Sequence, residues 1–261
     1  MSRFIRNSIH AGAGAALAVA ATAAAGDGSR HHERAEIPFS EVRLLFELNH
    51  TDGDLGIHGL IDGDEWRRLE IEDPRERQIL DVQVRGRLRQ QGLTEIFFES
   101  AEPPFDELSP ADFFRRFPEG EYEIEGTTLD GDELEGSAEL SHVMPAPPGN
   151  VTVSGLPAAE NCDAELPTVD GDEPVVVAWS PVTSSHPTVG KAGPVAVANY
   201  QFVLEVEAPE LLITSVDLPP GITEFEIPAA LIELADEFKF EIVVRAESGN
   251  QTVVESCFEL E

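Results

Sequence analysis

Apolar and polar residues alternate along most of this chain. Residues 41–48, EVRLLFEL, run into a turn at Asn49. Residues 55–61 form a second short apolar run, 68–72 alternate and stop at Asp73-Pro74, and 79–84, 94–99, 121–125 and 134–140 repeat the pattern. Side chains on a strand point to its two faces in turn, so a period of two marks a strand with one buried face. Gly, Pro, Asn and Asp punctuate the runs, which predicts an antiparallel β-sandwich over residues 37–145. One helical piece interrupts it. Ser109-Pro110 supplies a cap and a first-turn proline, and Phe113, Phe114 and Phe117 are expected to plug one end of the sandwich.

Met144-Pro145-Ala146-Pro147-Pro148-Gly149-Asn150 is a stiff, proline-rich joint, and the domain boundary is placed there. A new strand series occupies residues 146–261. Residues 151–154 open it, 175–179 end at Ser180-Pro181, 200–206 follow, 211–216 give way to Pro219-Pro220-Gly221, and 223–227 stop at Pro228. Residues 238–246, FKFEIVVRA, are the strongest strand, and Gly249-Asn250 turns it into 252–258.

This second half resembles a fibronectin type III domain. The residues that carry the resemblance are Trp179-Ser180-Pro181 closing the second strand, Tyr200 opening the third, Leu234 ahead of the sixth, and FKFEIVVRA followed by SGNQT leading into the last. The resemblance implies a seven-stranded Greek-key sandwich used mainly for adhesion, spacing or partner binding. Two departures stand out. Phe238 occupies the place where the family usually has a tyrosine, so the hydroxyl of the tyrosine corner is missing. Residues 184–198, SSHPTVGKAGPVAVA, are long for a connection between the second and third strands. There is no Arg-Gly-Asp tripeptide, so an integrin-type receptor role is not implied. The first half does not carry the pattern and is read only as a β-sandwich. The expected fold class is therefore all-β, with two antiparallel β-sandwich domains, the second fibronectin type III-like with an Ig-like Greek key.

Composition narrows the setting. An apolar content of 41% can fill real cores and separates the chain from disordered sequences despite 26% charge. The net charge of −33 repels nucleic acid and anionic membranes. It suits a salty medium, divalent cations or a basic partner, and it equally suits a surface charged for solubility. Ten arginines lie between residues 43 and 116, whereas only Lys191, Lys239 and Arg245 follow residue 147. That asymmetry fits two domains of different surface character.

Residues 1–25 read as a secretory signal peptide: Arg3 and Arg6, then a small-residue apolar run ending in Ala23-Ala24-Ala25 before Gly26. The run is too short and too weakly apolar for a membrane span. No cysteine follows it before Cys162, which argues against a lipid anchor. Residues 26–36 are expected to be a flexible tether, with His31 and His32 in a solvated tail. Exported location, periplasmic or extracellular, is the expectation. Cys162 and Cys257 fit it, and in an oxidising compartment they are expected to form a disulfide.

Candidate chemistry gathers in residues 49–66, NHTDGDLGIHGLIDGDEW. Asp-Gly-Asp occurs four times, starting at Asp52, Asp62, Asp130 and Asp170. Asp-Gly is also a favoured hairpin dipeptide because Gly tolerates positive φ, and the last two copies read as turns. Asp52, Asp54, Asp62 and Asp64 are the candidate metal ligands, with calcium as the candidate ion. A strand over residues 55–61 would span roughly 20 Å, placing the two acidic turns at opposite ends. Each turn alone falls short of the six to eight oxygens calcium takes, and neither fits the helix–loop–helix pattern. His50 and His58 with the aspartates are a candidate zinc or copper set, with a surface location the simpler expectation.

Catalytic signatures are thin. Carboxylates are too abundant for any pair to be specific, no Gly-x-Ser-x-Gly or phosphate loop is present, and Trp66 and Trp179 read as core anchors. Asn49, Asn150 and Asn250 satisfy the Asn-x-Thr glycosylation rule. The reading is a non-enzymatic exported binding or scaffold protein of the cell envelope or extracellular space, with calcium as a brace. Its partner would be a protein or surface polymer, not nucleic acid, and it has no membrane span. The alternatives are a secreted hydrolase with an acidic site in the first domain, or an extracellular metal-binding protein.

Overall fold

The computed structural model describes residues 35–208 and 210–261, so the expected signal peptide, nearly all of the expected tether and His31 and His32 lie outside the described residues. The first half contains strands β1 (Glu36–Pro38), β2 (Glu41–Asn49), β3 (Asp54–Glu72), β4 (Gln78–Gln83), β5 (Leu93–Glu99), β6 (Gly120–Thr128) and β7 (Glu133–Leu140), with short helices α1 (Leu88–Gln91) and α2 (Pro110–Arg116). The second half contains β8 (Gly149–Val153), β9 (Leu156–Pro157), β10 (Thr168–Val169), β11 (Val176–Ser180), β12 (Val197–Ala208), β13 (Glu210–Leu218), β14 (Glu224–Glu226), helix α3 (Ala229–Ile232), β15 (Glu237–Ala246) and β16 (Gln251–Leu260).

Strand β3 serves both sheets of the first domain. Its first part lies between β2 and β5, and its second part between β4 and β6, which continues to β7. The register shifts between Asp62 and Trp66, where the chain crosses from one sheet to the other. Asp62-Gly63-Asp64 is thus not a hairpin turn, as the dipeptide suggests, but a bulged corner inside one strand, and Gly63 lies against the Phe39 ring. Phe46, Leu48, Ile57, Trp66, Leu69, Tyr122 and Leu134 fill the core. Ser109 caps α2 by accepting from the Asp112 amide at 3.2 Å, and Phe113 and Phe114 pack edge-on against Phe46 at 5.6 and 5.5 Å.

The second domain sets β14–β11–β8 against β13–β12–β15–β16. Val177 and Trp179 from one sheet meet Tyr200, Phe202, Phe240 and Phe258 from the other. With β3 counted as two strands and the short β1, β9 and β10 left out, both domains have the same order: first, second and fifth strands in one sheet, and fourth, third, sixth and seventh in the other. This is the seven-stranded fibronectin type III-like sandwich expected of the second half, and the first half repeats it. The tyrosine-corner bond also occurs in the first domain, where Tyr122 Oη donates to the Pro118 carbonyl four residues upstream at 3.0 Å. In the second domain Phe238 stacks on Phe258 at 4.9 Å instead. Cys162, on the connection between β8 and β11, is bonded to Cys257 on β16.

The two sandwiches share a sheet. β16 pairs in parallel with β2, Gln251 opposite Glu47 and Val253 opposite Asn49. The β11–β12 connection, residues 181–196, holds most of the 184–198 segment singled out in the sequence and reaches back to the first domain. Val189 enters the first domain's core beside Met144, the His186 amide donates to the Met144 carbonyl at 2.8 Å, and the Lys191 amide donates to the His142 carbonyl at 3.0 Å. Lys191 Nζ meets Glu119 at 2.6 Å.

Candidate functional site

The structure distributes the sequence-predicted ligands. Asp54 opposes Asn49 and Asp62 opposes Glu41, so they stand at the two ends of the β2–β3 pairing. Asp62 accepts from Ser40 Oγ at 2.7 Å, and Asp64 is exposed. Asp52 accepts from Asn49 Nδ2 at 3.2 Å in the β2–β3 turn. The hydrolase reading places its site at this acidic stretch. A cleft of about 160 Å³ lies instead on the other sheet, lined by Arg68, Glu70, Glu125 and Glu135.

A different set of residues converges. Leu45, Glu47 and Asn49 alternate with the core-facing residues of β2, so they point away from the core. Pairing then puts Gly56 and His58 of β3, and Glu99 of β5, on that same outer face. His58 was expected at a surface, but it is buried, at 6% exposure. The segment after β5 covers it. Ser100 N donates to the Ile57 carbonyl and Ser100 Oγ accepts from Ile57 N, both at 3.0 Å; farther on, Phe105 N donates to the Gly53 carbonyl at 2.9 Å. Between these anchors Glu102 turns inward, over Gly56. A Cβ at residue 56 would overlap the Glu102 carboxylate, so this approach requires glycine.

His58 Nε2 meets Glu102 Oε1 at 2.9 Å, and its Nδ1 stands 3.9 Å from Glu47 Oε2. Burial drives the imidazole pKa down, but the Glu102 hydrogen bond and the Glu47 charge outweigh it and the net shift is upward. Burial raises the Glu47 carboxyl, opposed by His58 and reinforced by Glu102. Asp54 is pushed up to about 7 by burial, with Glu102, Asp52 and Glu47 adding like charge. Among the described residues, Glu102 Oε2 and Asp54 Oδ1 are buried with no hydrogen-bond partner.

The acidic face continues across the seam. Glu47 accepts from Gln251 Nε2, Gln251 Oε1 accepts from Arg245 at 2.9 Å, and Arg245 also reaches Gln201 at 2.9 Å and Asp217 at 3.1 Å. Beside this row Lys239 Nζ stands 2.8 Å from Glu255 and 3.6 Å from Glu241. Glu241 is pushed up to about 7 by burial, against the lowering effect of Lys239. At the rim, His186 Nε2 lies 3.2 Å from His50 Nδ1. Asn250 is fully buried and Asn49 nearly so, which leaves Asn150 as the solvent-exposed sequon.

Sequence reasoning singled out His58 and Asp54 but missed Glu47 and Glu102 as their companions. The usable signals were Gly56 and Gly59 inside a strand, where glycine marks close approach, and the stiff Pro103-Pro104 that follows Glu102.

No family model and no curated protein matches this chain. Among solved structures, it is similar to the FN1–FN3 domains of chicken CNTN1, at TM-score 0.33 and 10% identity over 86% of this chain and 68% of that one. It is similar to a two-domain fibronectin type III segment of chicken tenascin, at TM-score 0.28 and 10% identity over 85% and 98%. A tetra-tandem repeat from the extending region of a large adhesion protein gives TM-score 0.27 and 12% identity over 84% of this chain and 50% of that one. The fold assignment rests on strand order and register, not on these likenesses.

Proposed function

We propose that the chain is an exported, non-catalytic binding or scaffold module whose two sandwiches act as one rigid body. The observation that supports this is the seam. Main-chain pairing of β2 with β16, the buried Asn250 and the inserted Val189 join the domains by far more than a linker. Domains in one chain otherwise move relative to each other by default. A fixed arrangement suits a protein that presents a surface at a set distance and orientation, because rigidity lowers the ordering cost of binding. The partner is a protein or surface polymer. With a net charge of −33 the attraction is toward basic or cation-bridged surfaces.

Backbone 15N relaxation on the mature chain tests the rigid-body claim. One shared tumbling time for both domains is expected, and two separate times would remove the premise. Cell fractionation tests export: the chain retained in the cytoplasm with its cysteines reduced would end the reading.

A further inference from the structure

We propose that Glu47, His58 and Glu102 form a binding site for one divalent transition metal of the zinc class at the seam between the domains. This inference is independent of the module reading. One donor atom from each of the three residues lies within 4.8 Å of a donor from each of the others. Ligands held tetrahedrally at zinc distances stand about 3.3–3.6 Å apart, so the set closes on an ion by side-chain adjustments of about 1 Å.

The burial of these groups points the same way. The Glu102 side chain is 3% exposed, and its Oε2 has no partner among the described residues. Asp54 Oδ1 is in the same state, and Glu102 is the foremost charge acting on Asp54. A buried carboxylate oxygen without a donor costs free energy, and a cation held by Glu102 relieves that cost and screens its charge on Asp54. Protonation of His58 answers only one oxygen of Glu102 and leaves Asp54 untouched. The strap over Gly56, anchored on both sides of Glu102, holds this carboxylate against the sheet although open solvent would host it at lower cost.

The imidazole sets the class of metal. Calcium takes oxygen ligands, whereas a set of one nitrogen and two carboxylates suits zinc, manganese or cobalt. Each ring nitrogen of His58 faces a carboxylate.

The test is titration of the chelator-stripped full chain with zinc, followed by calorimetry and thermal melting, with cobalt as a visible-absorption probe of the ligand set. One zinc per chain, a rise in melting temperature, and proton release on binding are expected. Glu102→Gln and His58→Gln should each weaken zinc at least about tenfold, while His186→Asn, at the rim histidine pair, should not. Should Glu102→Gln fold poorly, Glu47→Gln provides the same comparison. Three results would overturn the proposal: no stoichiometric zinc at saturating excess, zinc affinity unchanged by Glu102→Gln and His58→Gln, or a melting rise produced by calcium and not by zinc.

Discussion

The backbone N–H of Phe46 donates to Oδ1 of Asn250 at 3.0 Å, across a sequence separation of 204 residues. The same Asn250 side chain donates through Nδ2 to the carbonyls of Ser141 at 2.6 Å and Val143 at 3.1 Å. One fully buried amide therefore satisfies three main-chain groups of the first domain from the β15–β16 turn of the second. Asn250→Ala leaves one donor and two acceptors without partners. Each buried orphan costs about 1–3 kcal/mol, so a loss of about 2–4 kcal/mol is expected in urea unfolding. Asn250→Asp should be no milder at neutral pH, since a carboxylate cannot donate to two carbonyls. A loss below about 0.5 kcal/mol in both variants would show that the seam does not depend on this residue.

Gly190 is the hinge of the long connection that reaches into the first domain. Its φ is +78°, and a Cβ there would overlap the His142 carbonyl, which accepts from Lys191. Gly190→Ala combines left-handed strain with that clash. It should lower stability by about 2 kcal/mol or more and free Val189 from the first core. Faster amide exchange at Val189 and Lys191 is the measurement; unchanged protection there would contradict the clamp.

The Cys162–Cys257 bond ties the β8–β11 connection to β16, the strand that carries the seam. A closed loop of this length stabilises by about 4–5 kcal/mol in the chain-entropy model. Replacing both cysteines with alanine should therefore lower the denaturant midpoint strongly. The same loss should follow reduction of the wild type with dithiothreitol. A midpoint that ignores reductant would mean that the bond only decorates an already ordered connection.

Much of this fold could be read in advance because strand patterning is local. The alternation over residues 41–48, 121–125 and 238–246 corresponds to β2, β6 and β15, and the fibronectin-like strand order of the second domain follows its Trp179, Tyr200 and 238–246 signals. In the first domain the runs 55–61 and 68–72 were legible as two strands, but the joint between them was not. β3 runs through Asp62-Gly63-Asp64 without turning, so the apparent hairpin is a bulge. The acidic cluster was hidden by distance. His58 and Glu102 are 44 residues apart and share no spacing motif. Only the strap's closure over Gly56 brings them together, and that closure also buries a histidine that polarity alone would leave outside.

Glu241 is buried among Lys239, Glu205 and Glu255, and its pKa is held near 7 rather than at the usual carboxylate value near 4.5. A carboxyl raised in the folded state contributes stability below its unfolded pKa and loses it as pH rises through 7. Glu241→Gln removes the buried charge and keeps the shape, and Glu255 remains 2.8 Å from Lys239. The variant should be more stable than wild type at pH 8 by about 1–3 kcal/mol, with the gain vanishing near pH 4. Equal differences at both pH values would show that Glu241 titrates normally.

His186 and His50 face each other with ring nitrogens 3.2 Å apart, where the second domain's long connection meets the β2–β3 turn. His186 Nδ1 accepts from the amides of Thr188 and Val189 at 3.2 and 2.9 Å, so the neutral ring carries its proton on Nε2 and donates to His50. Burial and then the neighbouring His50 push His186 down to about 4, and burial lowers His50 as well. A histidine depressed in the folded state gives stability that is complete above the unfolded value of 6.5 and is lost as pH falls toward 4. Glu241 and Asp54 act with the opposite sign in much of this window, so the wild-type curve alone does not isolate the pair. His186→Asn does, because its Oδ1 can replace Nδ1 as acceptor for the two amides while removing the titrating ring. Wild type should lose more stability than this variant between pH 6.5 and 4, and the two should run parallel above pH 7. If the difference between the curves is flat from pH 8 to 4, the histidine pair does not contribute to the loss of stability in acid.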